Sequence, residues 1–163
     1  MRALSLHVDD MAALSAEILA QGHAFCFRAR GSSMVPFIHD GDLLTVQPSS
    51  GAVLRVGDVA LYRARGDRLA AHRVIALRAQ GGRALLTVRG DASAGPGEPL
   101  SPDQLLGRVV QVQRGDRTLD LDRRTLRLGA LLWVTTAPLG PWLLGGLIRL
   151  KQHSAWLLRS PEL

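Results

Sequence analysis

Short runs of alternating apolar and polar residues, separated by Gly-Asp pairs, fill the middle of this 163-residue chain. Gly-Asp pairs favour turns, because glycine accepts a positive φ and aspartate bonds to nearby backbone. Runs of this kind between turns predict short antiparallel strands. The predicted strands lie in 24–30, 42–48, 53–64, 69–79, 83–90, 105–113 and 118–122. We therefore expect a mainly β fold, either a sandwich or a coiled, barrel-like sheet.

Helical patterns flank the predicted strands. The run from Val8 to Gln21 is amphipathic, with Met11, Leu14 and Ile18 on one face and Gly22 at its end. The loop from Ala92 to Pro102 is rich in glycine and proline. The sequence thus predicts an N-terminal amphipathic helix in 1–23, a β domain in 24–122 and an apolar helical segment in 123–163.

The last segment contains an uncharged stretch, Leu128–Ile148. At about 1.5 Å per residue, a helix of this length would just cross the ~30 Å core of a bilayer. Pro138 and Pro141 would kink or break that helix. The stretch predicts membrane association, as a span or as an interfacial helix, with packing on the domain as the alternative. We expect a protein associated with the cell membrane, and otherwise a cytoplasmic one.

Composition excludes several classes of function. The net charge of +6 comes almost entirely from scattered arginines, and aromatic residues make up 4% of the chain, so we expect no nucleic-acid partner. Cys26 is the single cysteine, which rules out an internal disulfide and a cysteine-based zinc site. Neither an HExxH motif nor a Walker-type loop occurs. We therefore expect neither a metal nor a cofactor.

The stretch RGSSMVPFIHDGD, from Arg30 to Asp42, forms a tight corner between two predicted strands. A serine hydroxyl becomes a nucleophile when a base takes its proton and N–H groups hold the developing oxyanion. Ser33 would present such a hydroxyl, while Met34 anchors the corner and Pro36 stiffens its exit. A Gly-Ser-Ser turn is more often structural, and from the residues alone that interpretation stays open.

A base for Ser33 has to be a histidine, because Lys151, the single lysine, lies beyond the apolar stretch. His72 is the candidate. On its predicted strand it shares a face with three small apolar residues, Ala70, Val74 and Ala76. Such a histidine is either a core residue or a desolvated base. Asp91 follows the next strand, where it would serve the turn or orient the imidazole.

Five short boxes, in order, make the chain similar to the signal peptidase I superfamily, the S24/S26-type serine peptidases that include the self-cleaving phage-type repressors. The boxes read SMVP from Ser33, GDLLTV from Gly41, GDVALYR from Gly57, HRVI from His72 and RGDA from Arg89. They most resemble the endoplasmic-reticulum and archaeal type, in which histidine stands where the bacterial branch has lysine. The resemblance covers residues 24–112 and implies the coiled β-sheet fold of that superfamily.

The resemblance also implies roles for individual residues. Ser33 would be the nucleophile, His72 the general base and Asp91 the orienting acid. The implied oxyanion or substrate-binding residues are Gly31, Ser32 and Met34, and the implied turn residues are Pro36, Gly41, Asp42, Gly57 and Asp58. The family often has a serine two positions before the nucleophile. Here that position is Gly31, so Ser32 replaces this donor or the donor is missing.

These features predict a serine endopeptidase of signal-peptidase type that cleaves a leader or precursor peptide with a Ser-His(-Asp) site. The alternative is a catalytically inactive module of the same fold that binds a peptide or leader. A self-cleaving regulator is the third interpretation. The single helix before Ala24 is short for a DNA-binding domain, and the phage-type repressors use a lysine base, so this interpretation fits less well.

Overall fold

An antiparallel sheet of eight strands forms the centre of the structure, a computed structural model that describes residues 8–50, 53–80 and 83–136. The strands are β1 (Phe25–Arg28), β2 (Leu43–Pro48), β3 (Val59–Arg63), β4 (Leu69–Gln80), β5 (Arg83–Arg89), β6 (Glu98–Leu100), β7 (Leu105–Arg114) and β8 (Arg117–Asp120). Helix α1 (Val8–Ala20) precedes the sheet and helix α2 (Arg124–Thr136) follows it. A 3₁₀ turn, Pro102–Gln104, leads into β7.

Strand β7 pairs with three other strands, β2, β3 and β8. The strand order is β1-β2-β7-β3-β4-β5-β6, and β8 pairs with the far end of β7. On β7, Val109 pairs with Val46 of β2 and with Val59 of β3. Irregular register interrupts three pairings, β2 with β7, β3 with β7 and β4 with β5. Bulges increase the local twist, so the sheet coils. The predicted mainly β fold with flanking helices is confirmed.

Buried apolar side chains lie on both faces of the sheet, as β3 illustrates. Its first four residues, Val59–Tyr62, are all buried. Because side chains alternate along a strand, Val59 and Leu61 enter one core while Ala60 and Tyr62 enter the other. The first core includes residues of α1 and of the corner before β2, among them Leu19 and Met34. The second core, on the face of Tyr62, is built from Leu54, Val74, Leu86, Val88 and Leu100.

Several local predictions need correction. Residues 53–58 do not extend β3, because the Asp58 carboxylate accepts the Arg55 N–H at 2.9 Å and closes a turn there. The predicted loop 92–102 contains strand β6, which pairs Leu100 with Leu86. On α1, Leu14 is exposed, and the buried face contains Ser15 instead. The helices and strands fall within the three predicted segments, while the division into domains stays a prediction.

The uncharged stretch is described only in part. Residues 128–136 belong to α2, and the remainder of Leu128–Ile148 lies outside the described residues. One side of α2 packs on the domain, since Ala130 is buried and the Trp133 ring meets the Phe37 ring at 5.4 Å, edge on. Leu128 and Leu132 are 62% and 66% exposed. Within the described part of the chain, no helix has the length and apolar character needed to cross a membrane.

Candidate active site

The corner between β1 and β2 presents Ser33 at the surface. Met34, the next residue, is buried in the first core and anchors the corner. Gly31 adopts a φ of +90°, a conformation that side chains rarely accept, and its N–H donates to the Asp40 carboxylate at 2.8 Å. Ser32 is exposed, and its carbonyl accepts the Val35 N–H at 3.2 Å. The backbone of the corner is therefore tied down on both sides of Ser33.

A second segment, the loop after β5, fixes the backbone of Ser33 itself. The Ala92 N–H donates to the Ser33 carbonyl at 2.9 Å. Gly90 packs so closely that a Cβ there would lie 2.7 Å from the Ser33 carbonyl oxygen. Only glycine fits such an approach without moving the neighbour.

His72 meets Ser33 across this corner. Its Nε2 lies 3.3 Å from the Ser33 Oγ, although the two residues are 39 positions apart in sequence. His72 stands on β4 opposite Ala60, and its side chain is 23% exposed. Fewer of the predicted apolar neighbours share the face of His72, because the bulge between Val74 and Ala76 turns Ala76 to the opposite face. The structure thus brings together the predicted nucleophile and the predicted base.

The other imidazole nitrogen contacts Tyr62 rather than Asp91. The Tyr62 oxygen lies 2.8 Å from His72 Nδ1, and the Tyr62 hydroxyl donates a short hydrogen bond to Oε1 of Glu98. The same Glu98 oxygen is 3.6 Å from Nδ1. Burial, with the Glu98 carboxylate beside it, raises the pKa of the Tyr62 phenol above its ordinary value. Tyr62 therefore keeps its proton and acts as a hydrogen-bond donor.

Asp91 is engaged elsewhere. Its two oxygens accept hydrogen bonds from Arg73, from Nε at 2.7 Å and from Nη2 at 2.6 Å, and both side chains are buried. Burial raises the pKa of the Asp91 carboxyl, against the opposing effect of Arg73. The predicted contact between Asp91 and His72 is therefore corrected to an ion pair with Arg73. A catalytic role for Asp91 stays a prediction.

The Arg73 guanidinium connects this ion pair to α2. Its Nη1 donates to the Gly57 carbonyl at 2.7 Å, and its Cζ lies 4.9 Å from the centre of the Phe37 ring. Phe37 in turn contacts Trp133 of α2. Arg73 is thus enclosed by polar and aromatic partners, which a buried cation requires.

The Gly-Asp pairs form turns beside the corner, and Asp42 binds the corner through hydrogen bonds. Asp42 accepts the His39 N–H at 2.8 Å and two hydrogen bonds from Arg114, at 2.9 and 2.7 Å. Those hydrogen bonds from Arg114 hold the pKa of the Asp42 carboxyl below its ordinary value. Gly41 and Gly57 both adopt positive φ in their turns. Pro36 follows Val35 through a cis peptide bond, and its carbonyl accepts a hydrogen bond from His39 Nε2 at 2.9 Å.

No group of three or more His, Cys, Asp and Glu side chains in the described residues could hold a metal ion. The expected absence of a metal and a cofactor stays a prediction. What the arrangement offers chemically is a hydroxyl beside an imidazole nitrogen, which are the two parts of a serine nucleophile and its base.

A family model described as Peptidase S24-like matches residues 2–100 of the 163. The matched region contains the corner, β3, β4, β5 and β6, and with them Ser33, His72, Tyr62, Asp91 and Glu98, while Arg114 and Trp133 lie beyond it. The chain belongs to the Peptidase S24-like family. The predicted membership in the S24/S26 superfamily is thereby confirmed. No curated protein matches the chain in sequence. The S24 family includes serine peptidases and repressor-like proteins, so membership establishes the fold and not activity.

Sequence reasoning missed Tyr62, Glu98 and Arg73 as parts of the site. A signal for Tyr62 exists: with a turn at RGDR, a hairpin places Tyr62 opposite Ala70, on the same face as His72. No comparable signal marks Glu98, because its strand has three residues inside a segment rich in glycine and proline.

Proposed function

We propose that this S24-like chain is a serine endopeptidase that cleaves a leader or precursor peptide, with Ser33 as nucleophile and His72 as general base. The observation that carries the proposal is the 3.3 Å approach of Ser33 Oγ to His72 Nε2. This distance is long for a hydrogen bond, as is common in enzymes without substrate. Family membership supports a peptidase fold, and the fixed backbone of Ser33 supports a nucleophile held in place.

In the proposed reaction, His72 Nε2 takes the proton of Ser33 as Oγ attacks the carbonyl carbon of the scissile peptide bond. The resulting oxyanion would accept a hydrogen bond from the Ser33 N–H. His72 then gives its proton to the leaving amine, and the peptide C–N bond breaks to leave an ester on Ser33. His72 then takes a proton from a water molecule, whose oxygen attacks the ester carbon. The bond between that carbon and Ser33 Oγ breaks, the carboxylic acid leaves, and His72 returns the proton to Oγ.

An extended substrate has a place to lie. Strand β1 ends the sheet on one side, five residues before Ser33. An edge strand can pair with one more chain, and main-chain hydrogen bonds then hold a peptide independently of its sequence. The superfamily resemblance suggests small residues just before the cut. The partner we propose is therefore a peptide or precursor protein in extended conformation.

We also propose membrane association for the last segment. The exposed side chains of Leu128 and Leu132 support an interfacial position for α2, whose other side packs on the domain. Membrane association would bring the site close to precursors that are themselves in the membrane.

The test uses the full chain and a pool of extended peptides with Ala-x-Ala sites, with products read by mass spectrometry. We expect cleavage by the wild type and by Ser50→Ala, a control at an exposed serine after β2 that leaves the corner and the Ser33 hydroxyl unchanged. Ser33→Ala and His72→Ala should lose at least about 10²-fold in rate, the low end of general-base catalysis. Equal cleavage by Ser33→Ala would refute the proposal. If the folded wild type cleaves nothing while Ser33→Ala binds peptide equally well, the chain is an inactive peptide-binding module.

A further inference from the structure

We propose that Glu98 is a positioning residue that acts on His72 through the hydroxyl of Tyr62. The site is then a series of four side chains, Ser33, His72, Tyr62 and Glu98, in which each contacts the next. The effect on the imidazole follows from geometry alone, while its consequence for cleavage rests on the proposed function.

The direction of the hydrogen bonds determines which imidazole nitrogen carries the proton. An ionised carboxylate can only accept, so Tyr62 donates its single O–H to Glu98. The Tyr62 oxygen then has only lone pairs to offer His72, and Nδ1 must supply the proton for the 2.8 Å contact. The neutral imidazole is therefore protonated at Nδ1. Its Nε2 lone pair faces Ser33, which is the tautomer that a general base needs.

The surroundings keep this arrangement in place. Tyr62 is 3% exposed and lies on β3, diagonal to His72 across the β3–β4 pair. Diagonal neighbours of this kind are within reach of long aromatic side chains. The backbone of Glu98 pairs with Val88 on β5, so the base of its side chain is fixed as well. The Glu98 side chain is 58% exposed, so its carboxylate lies at the surface with one oxygen on the Tyr62 hydroxyl.

The series also suits the step in which His72 becomes positively charged. When Nε2 accepts the Ser33 proton, an electron-rich partner at Nδ1 stabilises the positive charge of the imidazolium. Tyr62 is such a partner, because donating to Glu98 increases the negative charge on its oxygen. The Nδ1 proton stays on His72 throughout, so Tyr62 and Glu98 position and stabilise the base without exchanging protons with it.

The decisive experiment measures the tautomer of His72 directly. Long-range ¹H–¹⁵N spectra of the full chain would be recorded at about pH 8.5, two units above the ordinary histidine pKa of about 6.5. We expect the wild type to show a proton on Nδ1. In Tyr62→Phe, which keeps the ring in its core, the proton should redistribute to both nitrogens. In Glu98→Gln the amide oxygen can still accept a hydrogen bond from Tyr62, so less of the proton should move from Nδ1 to Nε2.

Cleavage provides the second readout. We expect kcat/KM to fall about 10²-fold in Tyr62→Phe, the low end of the range for general-base catalysis, and by less, about tenfold, in Glu98→Gln because the amide oxygen can still accept from Tyr62. Asp103→Asn is the matched control for Glu98→Gln, since Asp103 is an exposed acid in the next turn of the chain. It should change neither readout.

The outcomes separate the two proposals. Redistribution of the His72 proton in Tyr62→Phe, even in a chain that cleaves nothing, supports the positioning series and rejects only the peptidase activity. A proton that stays on Nδ1 in Tyr62→Phe overturns the series, whatever the cleavage rates. If Tyr62→Phe does not fold, an unchanged spectrum and rate in Glu98→Gln, at the surface, overturns the series in the same way.

Discussion

Two carboxylates lie near His72, and they differ in their partners. Asp91 is buried and accepts hydrogen bonds from Nε and Nη2 of the Arg73 guanidinium. Glu98 is more than half exposed and accepts the hydroxyl of Tyr62. A buried ion pair such as Arg73–Asp91 holds together the two backbone segments that carry its residues, because neither charge can leave its partner without a large desolvation cost. A carboxylate such as Glu98, bonded to the Tyr62 hydroxyl, can act on the His72 imidazole through that hydroxyl. The comparison shows that the place of a carboxylate in a motif does not by itself determine its hydrogen-bond partner.

The alternation of side chains along a strand explains the difference. His72 and Arg73 are neighbours on β4 and therefore point to opposite faces. Arg73 pairs with Arg89 on β5, and Asp91 follows two positions later, on the face of Arg73. Tyr62 lies on the face of His72, since it is opposite Ala70. Asp91 thus lies on the face opposite His72, and the next residue, Ala92, donates its N–H to the Ser33 carbonyl.

The largest effect on stability is expected from Asp91→Asn. The change leaves the Arg73 guanidinium buried without a counter-charge, which typically costs about 3–5 kcal/mol of the free energy of unfolding. Urea denaturation followed by circular dichroism measures this loss. Glu98→Gln is the control and should change the free energy by no more than about 0.5 kcal/mol, as exposed substitutions usually do.

A second variant checks the cause. Replacing both partners, Arg73→Met with Asp91→Leu, should recover most of the loss, because well-packed apolar pairs often substitute for buried ion pairs. If Asp91→Asn costs less than about 1 kcal/mol, the value of an exposed pair, the assignment of Asp91 to the scaffold is wrong.

The fold and half of the site could be predicted from the sequence, and the reasons are physical. Ser33 and His72 are found because they lie in boxes whose order and spacing are specific. Tyr62 follows from the register of a short hairpin, a local property. The partners of Asp91 and Glu98 depend on how the loop after β5 folds back on the corner. That loop is fixed by long-range contacts, such as Gly90 against Ser33, which leave no periodic pattern in the sequence.

A smaller loss is expected from Gly90→Ala, which tests whether the loop after β5 positions Ser33. The new Cβ would lie 2.7 Å from the Ser33 carbonyl oxygen and 3.3 Å from its Cβ, so one backbone must move. Overpacking of this kind costs about 1–3 kcal/mol in the free energy of unfolding. If Ser33 is the nucleophile, a displacement of about 1 Å should also reduce kcat/KM about 10²-fold.

Gly95→Ala is the matched control in the same loop, because its Cβ would meet only the Ser93 Oγ, at 3.6 Å. It should leave both the free energy of unfolding and the cleavage rate close to the wild-type values. A Gly90→Ala chain with wild-type stability and rate would show that the loop can move away from Ser33 at no cost. The Asp91 side of the comparison would then lose its link to Ser33.

The smallest effect is expected at Asp42, a carboxylate intermediate between the other two. Like Asp91 it is buried and bound by an arginine, but its partner Arg114 is 40% exposed. Hydrogen bonds from Arg114 lower the pKa of Asp42 in the folded chain, so folding favours its ionised form. The stabilisation is present above the unfolded pKa of about 3.9 and disappears as the pH falls through the lower folded pKa.

Asp42→Asn should therefore cost about 1 kcal/mol near neutral pH, less than a fully buried charged hydrogen bond because water screens Arg114. Free energies of unfolding would be measured from about pH 7 to about pH 2.5, a range that includes the ordinary aspartate pKa of about 3.9. The gap between wild type and variant should be constant above about pH 5 and shrink below about pH 4, as linkage requires. Asp116→Asn, in the exposed turn before β8, should run parallel to the wild type. A gap that persists unchanged to the acid end would mean that Asp42 braces the corner by its shape and hydrogen bonds alone, and that only Asp91 does so by charge.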